Sequence, residues 1–434
     1  FVQLVTFQIH KDYPGIEVFA KVLEYSENDG KKATTMVDKL IDLSKELENK
    51  KSARLSAFHH GTFGIEKIDS TTLKPILKSV DGKKYDGQKM PKTELEIEGD
   101  LSPAGYNLVN KFEDLGGSHG ESSFIAVVHI DGNAMGKRVS DIYKGAKKDR
   151  KAKGDKFKDK LKNFSESIDD DFKGAYKDMI QVVQKNLEKG QLSELDLKEN
   201  NFPVRRIITA GDDICFVTDG RIGIECAVAF INALSKKRNK QDKKEYFACA
   251  GVAIVHQKYP FYQAYELAEK LCSNAKKFGA SLSSDEGATV SSIDWHIEFG
   301  EMKDSLDEIR SQYVTSDGKR LELRPYLIKY GLDVQKKEQL RTYENFMQQM
   351  EKVKNAEKKC ARGKMKELRS VLKQGAVATQ AFIQFYKMGD VVGNNLYATS
   401  FDKVERSLIF DALEASDTYI KFENRNRNGE ETRE

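Results

Sequence analysis

The chain has 434 residues, a formal net charge of +4, 39% hydrophobic residues and 32% charged ones. That length predicts two to three domains, each able to bury a core. A balance so near neutral excludes a polycation and leaves any nucleic-acid affinity to local patches. Five cysteines with no Cys-x-x-Cys pair exclude a disulfide framework and a cysteine zinc site, so they read as buried free thiols of a reducing cytosol.

No apolar run reaches membrane-spanning length and no signal-peptide pattern is present, so a cytoplasmic protein is expected. The chain opens on Phe1, as expected of one trimmed at its N-terminus. In chain order, residues 2–9 alternate as a strand does, 33–49 have helical periodicity, and 53–59 read as another strand. Residues 1–118 are therefore expected to form a small α/β domain, ending at the loop Leu115-Gly-Gly-Ser-His-Gly-Glu121. His59, His60 and His119 have no third ligand at useful spacing and read as structural.

Residues 123–130 are a continuous apolar run, the pattern of a strand buried on both faces. Residues 144–163 are intensely basic, with only Tyr143 and Phe157 nearby for stacking. They read either as a grip on RNA or, the reading preferred, as a solvated insertion. A helix is expected over 165–188 with Ser165 as its cap. Strands at 204–210 and 214–218 flank the turn Gly211-Asp212-Asp213, and a helix at 222–236, a strand at 247–255 and a helix at 261–277 follow. The order β-α-β-β-α-β-α predicts an α+β fold, a ferredoxin-like βαββαβ palm over 119–300. Beyond it, 301–316, 333–373, 376–388 and 401–420 read as helices of a C-terminal domain over 301–422, and 423–434 as a disordered tail.

Two acidic spots stand out. Asp131 ends the run Phe124-Ile-Ala-Val-Val-His-Ile-Asp131, and Asp212 and Asp213 sit in the hairpin turn about eighty residues on. In the predicted topology these strand tips are neighbours. A lone turn aspartate is commonly just solvated. Three at adjoining tips would repel strongly, and a divalent cation relieves that cost. Oxygen-only ligands suit Mg2+ or Mn2+, with the Ile130 carbonyl as a further donor, and Mg2+ ordinarily shares its shell with phosphates. Gly132, Asn133, Ala134, Met135 and Gly136 would bring backbone N–H groups close to a triphosphate, and Asn133 could instead touch base or ribose. His129 reads as structural. Lys276 and Lys277 end a helix, where lysine either offsets the dipole or meets phosphate.

His129-Ile-Asp-Gly-Asn-Ala-Met-Gly136, Ala210-Gly-Asp-Asp213, Ala250-Gly-Val-Ala-Ile-Val-His256 with Tyr259-Pro260, and Ala275-Lys-Lys277 together resemble the catalytic palm of the large subunit of type III CRISPR effector complexes. That palm falls within the superfamily of GGDEF proteins and class III nucleotidyl cyclases. The resemblance covers about 120–300. It implies a nucleotidyltransferase that joins ATP into cyclic oligoadenylates or cyclic dinucleotides, with two metal ions and attack of a 3′-hydroxyl on an α-phosphate. Asp131, Asp212 and Asp213 are then the catalytic metal ligands, and Gly211, Lys276 and Lys277 the nucleotide contacts.

The chain departs from that family in several places. Ala210 stands where a first glycine is usual, no His-Asp dipeptide occurs, the zinc cysteines are missing, and one palm is recognisable instead of two. A stand-alone relative in antiphage signalling is the implied reading. Its expected partners are a nucleoside triphosphate, a second copy of the chain that supplies the other nucleotide position, and RNA or another activating ligand. A template-directed polymerase and a catalytically inert RNA-binding scaffold are the competing readings.

Overall fold

The computed structural model describes residues 2–12, 18–24, 31–52, 103, 105–109, 111–115, 123–149, 153–195, 197, 200–285, 287–299, 305–394 and 396–423. The expected strand at 53–59, the histidines at 59, 60 and 119, most of the 115–121 loop and the tail from 424 lie outside them. The chain divides into two compact units: 1–95 with 134–167 and 260–262, and 96–133 with 168–259 and 263–434. These divisions fall elsewhere than the boundaries expected at 118 and 300.

In the first unit the described elements are helices α1 (Val2–Asp12), α2 (Ala33–Ser52), α3 (Met135–Lys148) and the first half of α4 (Gly154–Glu188). The strand expected at 2–9 is therefore corrected to a helix. Val2, Thr6 and Ile9 are its half-buried positions, spaced by four and three, and the Thr6 hydroxyl donates back to the Val2 carbonyl at 3.0 Å. The short alternating run satisfied both periods, and helical packing decided between them. Of the basic stretch, residues 144–148 and 154–163 are helical too. α4 begins at Gly154, eleven residues before the expected cap, because Phe157, Phe164 and Ile168 bury one helical stripe. Phe157 is only 4% exposed and meets the Tyr143 ring edge-on at 5.7 Å, so the two aromatic rings near these lysines face inward.

The second unit holds a six-stranded sheet in the order β2-β3-β1-β4-β5-β6. Its strands are β1 (Phe124–Gly132), β2 (Val204–Ala210), β3 (Asp213–Asp219), β4 (Ala248–His256), β5 (Ser291–Ile297) and β6 (Tyr326–Lys329). β1 runs antiparallel to both β3 and β4, the ferredoxin-like arrangement expected. Helix α5 (Gly223–Ser235) packs on the face that carries Ala126, and α6 (Phe261–Leu282) on the face that carries His129 and Asp131. Two glycines make that packing close. A Cβ at Gly223 would lie 2.2 Å from the Ala126 Cβ, and one at Gly251 would lie 2.0 Å from the Ala268 carbonyl oxygen and 2.4 Å from the Cys272 nitrogen. Cys215, Cys226, Cys249 and Cys272 are buried free thiols, as expected, and Cys360 is partly covered.

The sheet does not stop at the palm. β5 continues it parallel to β4, and β6 pairs with β5. Trp295 of β5 stacks on Tyr326 of β6 with centroids 5.2 Å apart and meets Phe346 at 4.8 Å. Phe346 belongs to α9 (Tyr343–Lys359), which follows two short helices, α7 (Leu306–Ser311) and α8 (Leu332–Lys337). Next come α10 (Arg362–Leu372), α11 (Ala376–Phe385), α12 (Gly389–Val392), a hairpin of β7 (Tyr397–Thr399) and β8 (Glu405–Ser407), and α13 (Phe410–Ala415). The helix expected over 401–420 is corrected to that hairpin and one short helix. The Asp402 carboxylate accepts from the Ser400 hydroxyl, the Val404 N–H and the Arg406 guanidinium, which fixes a turn where the helix would begin. Arg324, wholly buried, joins Asp411 at 3.1 Å and Glu414 at 2.5 Å, and so ties α13 to the chain leading into β6.

Candidate active site

Antiparallel pairing sets Asp131 directly across from Asp213, the last residue of the acidic turn. Gly211 makes that turn possible with a left-handed φ of 64°, and its N–H donates to Asp169 of α4 at 3.2 Å. A hydrogen bond from the Gly132 N–H to the Asp212 carbonyl, 3.2 Å, locks the tip of β1 to the turn. The three aspartates predicted from sequence thus meet at one end of the sheet.

Their electrostatics follow. Burial raises the Asp212 carboxyl above its ordinary range, and the Asp131 charge raises it further. Burial also raises Asp213; His129 pulls it back, while Asp131 and Glu269 push it up. The Asp213 Oδ1 atom is buried without a hydrogen-bond partner, and its near neighbour is the His129 Nδ1 atom at 3.5 Å. Lys276 of α6 reaches the Asp131 Oδ2 atom and lies 3.4 Å from the Gly132 carbonyl oxygen. Burial disfavours the Lys276 ammonium, but the hydrogen bond and charge of Asp131 outweigh it and leave the group above its usual value.

Among the described residues, no group of three or more His, Cys, Asp or Glu side chains is drawn together closely enough to hold a metal ion as they stand. The donor set nevertheless fits one. It consists of oxygens alone, two of the carboxyls carry the mark of mutual repulsion, and the lysine ammonium is a cation resting between a carboxylate and a carbonyl. Asp131, Asp212, Asp213 and the Gly132 carbonyl are the atoms suited to it. The Ile130 carbonyl is not. Ile130 is fully buried between Ile214 and Ala250, and a central strand spends its backbone groups on its neighbours.

The other predicted contacts separate. Asn133 turns inward, and its side-chain amide donates to the Val290 carbonyl at 2.6 Å and the Gly287 carbonyl at 3.2 Å. Its backbone N–H is spent on Phe247 at 2.8 Å, as the Gly132 N–H is on Asp212. Met135, Gly136 and Lys137 open α3, and the N–H groups of a helix's first turn have no partner within the helix. Ala134 caps that turn in a left-handed conformation with φ 58° and no side-chain hydrogen bond, and a Cβ at Gly136 would meet no atom within 4 Å. Lys277 points to solvent, so helix phase separates it from Lys276.

Sequence reasoning missed three members of this neighbourhood. Tyr265, Glu269, Cys272 and Lys276 form one stripe of α6, at spacings of four, three and four. Tyr265 meets the His129 ring edge-on at 5.7 Å, and its hydroxyl is raised by burial and by the nearby Glu269 and Asp213 charges. His129, two residues from Asp131 on the same strand face, was legible by the period of two. Tyr265 and Glu269 were legible only once the buried face of α6 was known.

Residues 124–281 match the Cas10/Cmr2 second palm domain family. This segment is similar to a Cas10 palm domain. Among solved structures, a similar one is the crystal structure of a Csm1-Csm4 cassette in complex with cA4, at 16% identity and a TM-score of 0.40, covering 71% of this chain. The present chain spans 38% of the length of that one. No curated protein matches the chain. Among the described residues, no helix is long and apolar enough to cross a membrane.

Proposed function

We propose that the Cas10-like palm joins nucleoside triphosphates, ATP first among them, into a cyclic oligonucleotide or cyclic dinucleotide messenger used in antiphage signalling. The observation that carries this reading is the cross-strand pairing of Asp131 with Asp213 beside Asp212, with the Lys276 ammonium against Asp131. Inert strand ends have no reason to assemble charges that raise one another's carboxyl groups. A divalent cation bound by these carboxylates supplies a lowered pKa for the attacking 3′-hydroxyl and charge stabilisation for the departing pyrophosphate. Asp131, Asp212 and Asp213 would hold that cation, whose positive charge a triphosphate can then approach. Lys276, seated by the close approach of α6 to Gly251, offers its ammonium to the triphosphate. His129 lies beside Asp213, its Nδ1 atom 3.5 Å from the Oδ1 atom, and favours the charged carboxylate. Joining nucleotides requires two substrate positions, and a second copy of this chain is the proposed source of the other.

The test is incubation of the purified protein with each nucleoside triphosphate and Mg2+ or Mn2+, with products read by mass spectrometry. A cyclic product from ATP without template is expected, and it should be lost in Asp212→Asn and Asp213→Asn while the fold is retained. Product that forms only on a template would transfer the palm to the polymerase reading. Undiminished synthesis by both variants would remove the carboxylates from the chemistry.

A further inference from the structure

Lys276 lies back on the palm tip, where its ammonium meets the Asp131 Oδ2 atom and stands 3.4 Å from the Gly132 carbonyl oxygen. Both oxygens belong to the set suited to a divalent cation. The backbone beneath the lysine is anchored on either side. About one turn earlier, the Cys272 thiol donates to the Cys249 carbonyl at 3.2 Å, and Cys249 stands across from Asp131 in the β1–β4 register. The Ala275 carbonyl, next to Lys276, accepts from the Ser292 hydroxyl at 2.8 Å. The side chain is held less firmly. It is 33% exposed and the Asp131 side chain 38%, so ions from solvent reach the pair. A four-carbon stem turns freely while the backbone that carries it stays in place.

We propose that the Lys276 ammonium and a divalent cation exclude one another at Asp131, so that Lys276 couples the binding of metal to the binding of nucleotide. The inference rests on the reading of these carboxylates as metal ligands and adds a competitor built into the chain. Two cations within reach of the same carboxylate and carbonyl oxygens repel strongly. A half-exposed ion pair is weakly held, so a divalent ion can replace the ammonium. Once displaced, Lys276 needs another anion, and a triphosphate supplies it. A metal ion alone must therefore evict a lysine that has no second partner, and a nucleotide alone meets a lysine already engaged. Each ligand removes the obstacle to the other, and the coupling has the same size whichever ligand reads it. Lys277 points to solvent and takes no part.

The experiment uses the full chain, with Lys276→Met to keep the stem and remove the charge, and Lys277→Met beside it. Mn2+ binding without nucleotide, followed by electron paramagnetic resonance, should tighten about fivefold or more in Lys276→Met and stay at the parent value in Lys277→Met. A fluorescent non-hydrolysable ATP analogue is then titrated in chelator and in Mg2+. The gain in its affinity that Mg2+ brings should shrink in Lys276→Met by a similar factor. A third measurement needs no variant. A brief pulse of an amine-acylating reagent, read by peptide mass spectrometry, should modify Lys276 faster in Mg2+ than in chelator and slower again once the analogue is added, with Lys277 unchanged throughout. Mn2+ affinity that is equal or weaker in Lys276→Met, or Lys276 labelling indifferent to Mg2+ at concentrations that fill the site, would overturn the exchange and leave the carboxylates as ligands. Failure of the parent and Lys276→Met alike to bind Mn2+ would overturn the metal reading and the exchange together.

Discussion

Replacing Asp212 or Asp213 with Asn should stabilise the metal-free protein while destroying its activity. Both carboxyls are raised by burial, with the Asp131 charge adding to the shift. At acid pH, below the unfolded carboxyl range, both states hold these protons and no stability is lost. As pH rises the unfolded chain releases them first, so the folded protein is progressively destabilised until its own raised carboxyls ionise. At neutral pH the cost is therefore fully present, and Asn, of the same shape, removes it. The Asp213 side chain is 44% exposed, so solvent screening holds the gain to about 0.5–1 kcal/mol per site, or roughly 1–3 °C in melting temperature. The assay is urea unfolding in chelator at neutral and at acid pH, beside product formation in Mg2+. The advantage of the variants should vanish in acid. Variants that are less stable at neutral pH and still productive would show the aspartates to be ordinary turn residues and refute the electrostatic reasoning.

Lys276→Met should reduce product formation by about a hundredfold or more, on the scale of losing one charge-stabilising donor, while Lys277→Met changes it little; steady-state rates of the two side by side decide this. Gly251→Ala forces a Cβ to within 2.0 Å of the Ala268 carbonyl oxygen, so α6 must shift, at a cost of about 3 kcal/mol or more in urea denaturation. Arg324→Met leaves Asp411 and Glu414 buried without their partner and should cost about 3–5 kcal/mol by the same measurement.

The sheet's central strand was legible because β1 is buried on both faces and reads as an unbroken apolar run, and the acidic turn because Gly211 marks it. β5 was hidden for the opposite reason. Ser291-Ser-Ile-Asp-Trp-His-Ile297 is buried throughout, yet four of its seven residues are polar. Asp294 is met by Asn274 at 2.7 Å and Arg310 at 2.6 Å, and the Ser292 hydroxyl by the Ala275 carbonyl at 2.8 Å. Polar residues satisfied by distant partners carry no periodic signal in one dimension. The choice between Lys276 and Lys277 was closed to sequence because it depends on the rotational setting of α6, which Gly251 fixes only in three dimensions. The strand reading of 2–9 failed for a third reason, since a segment of that size fits either period until neighbours choose.

The stacking of Trp295 on Tyr326 decides how this protein can be dissected. A fragment cut at residue 300 would keep one ring and discard the other, opening an aromatic seam and an unpaired strand edge to water. Such a piece would aggregate, and its silence in an assay would report lost solubility rather than lost chemistry. Useful truncations must therefore carry the C-terminal segment beyond residue 300 along, and graft experiments should treat sheet and helices as one inheritance.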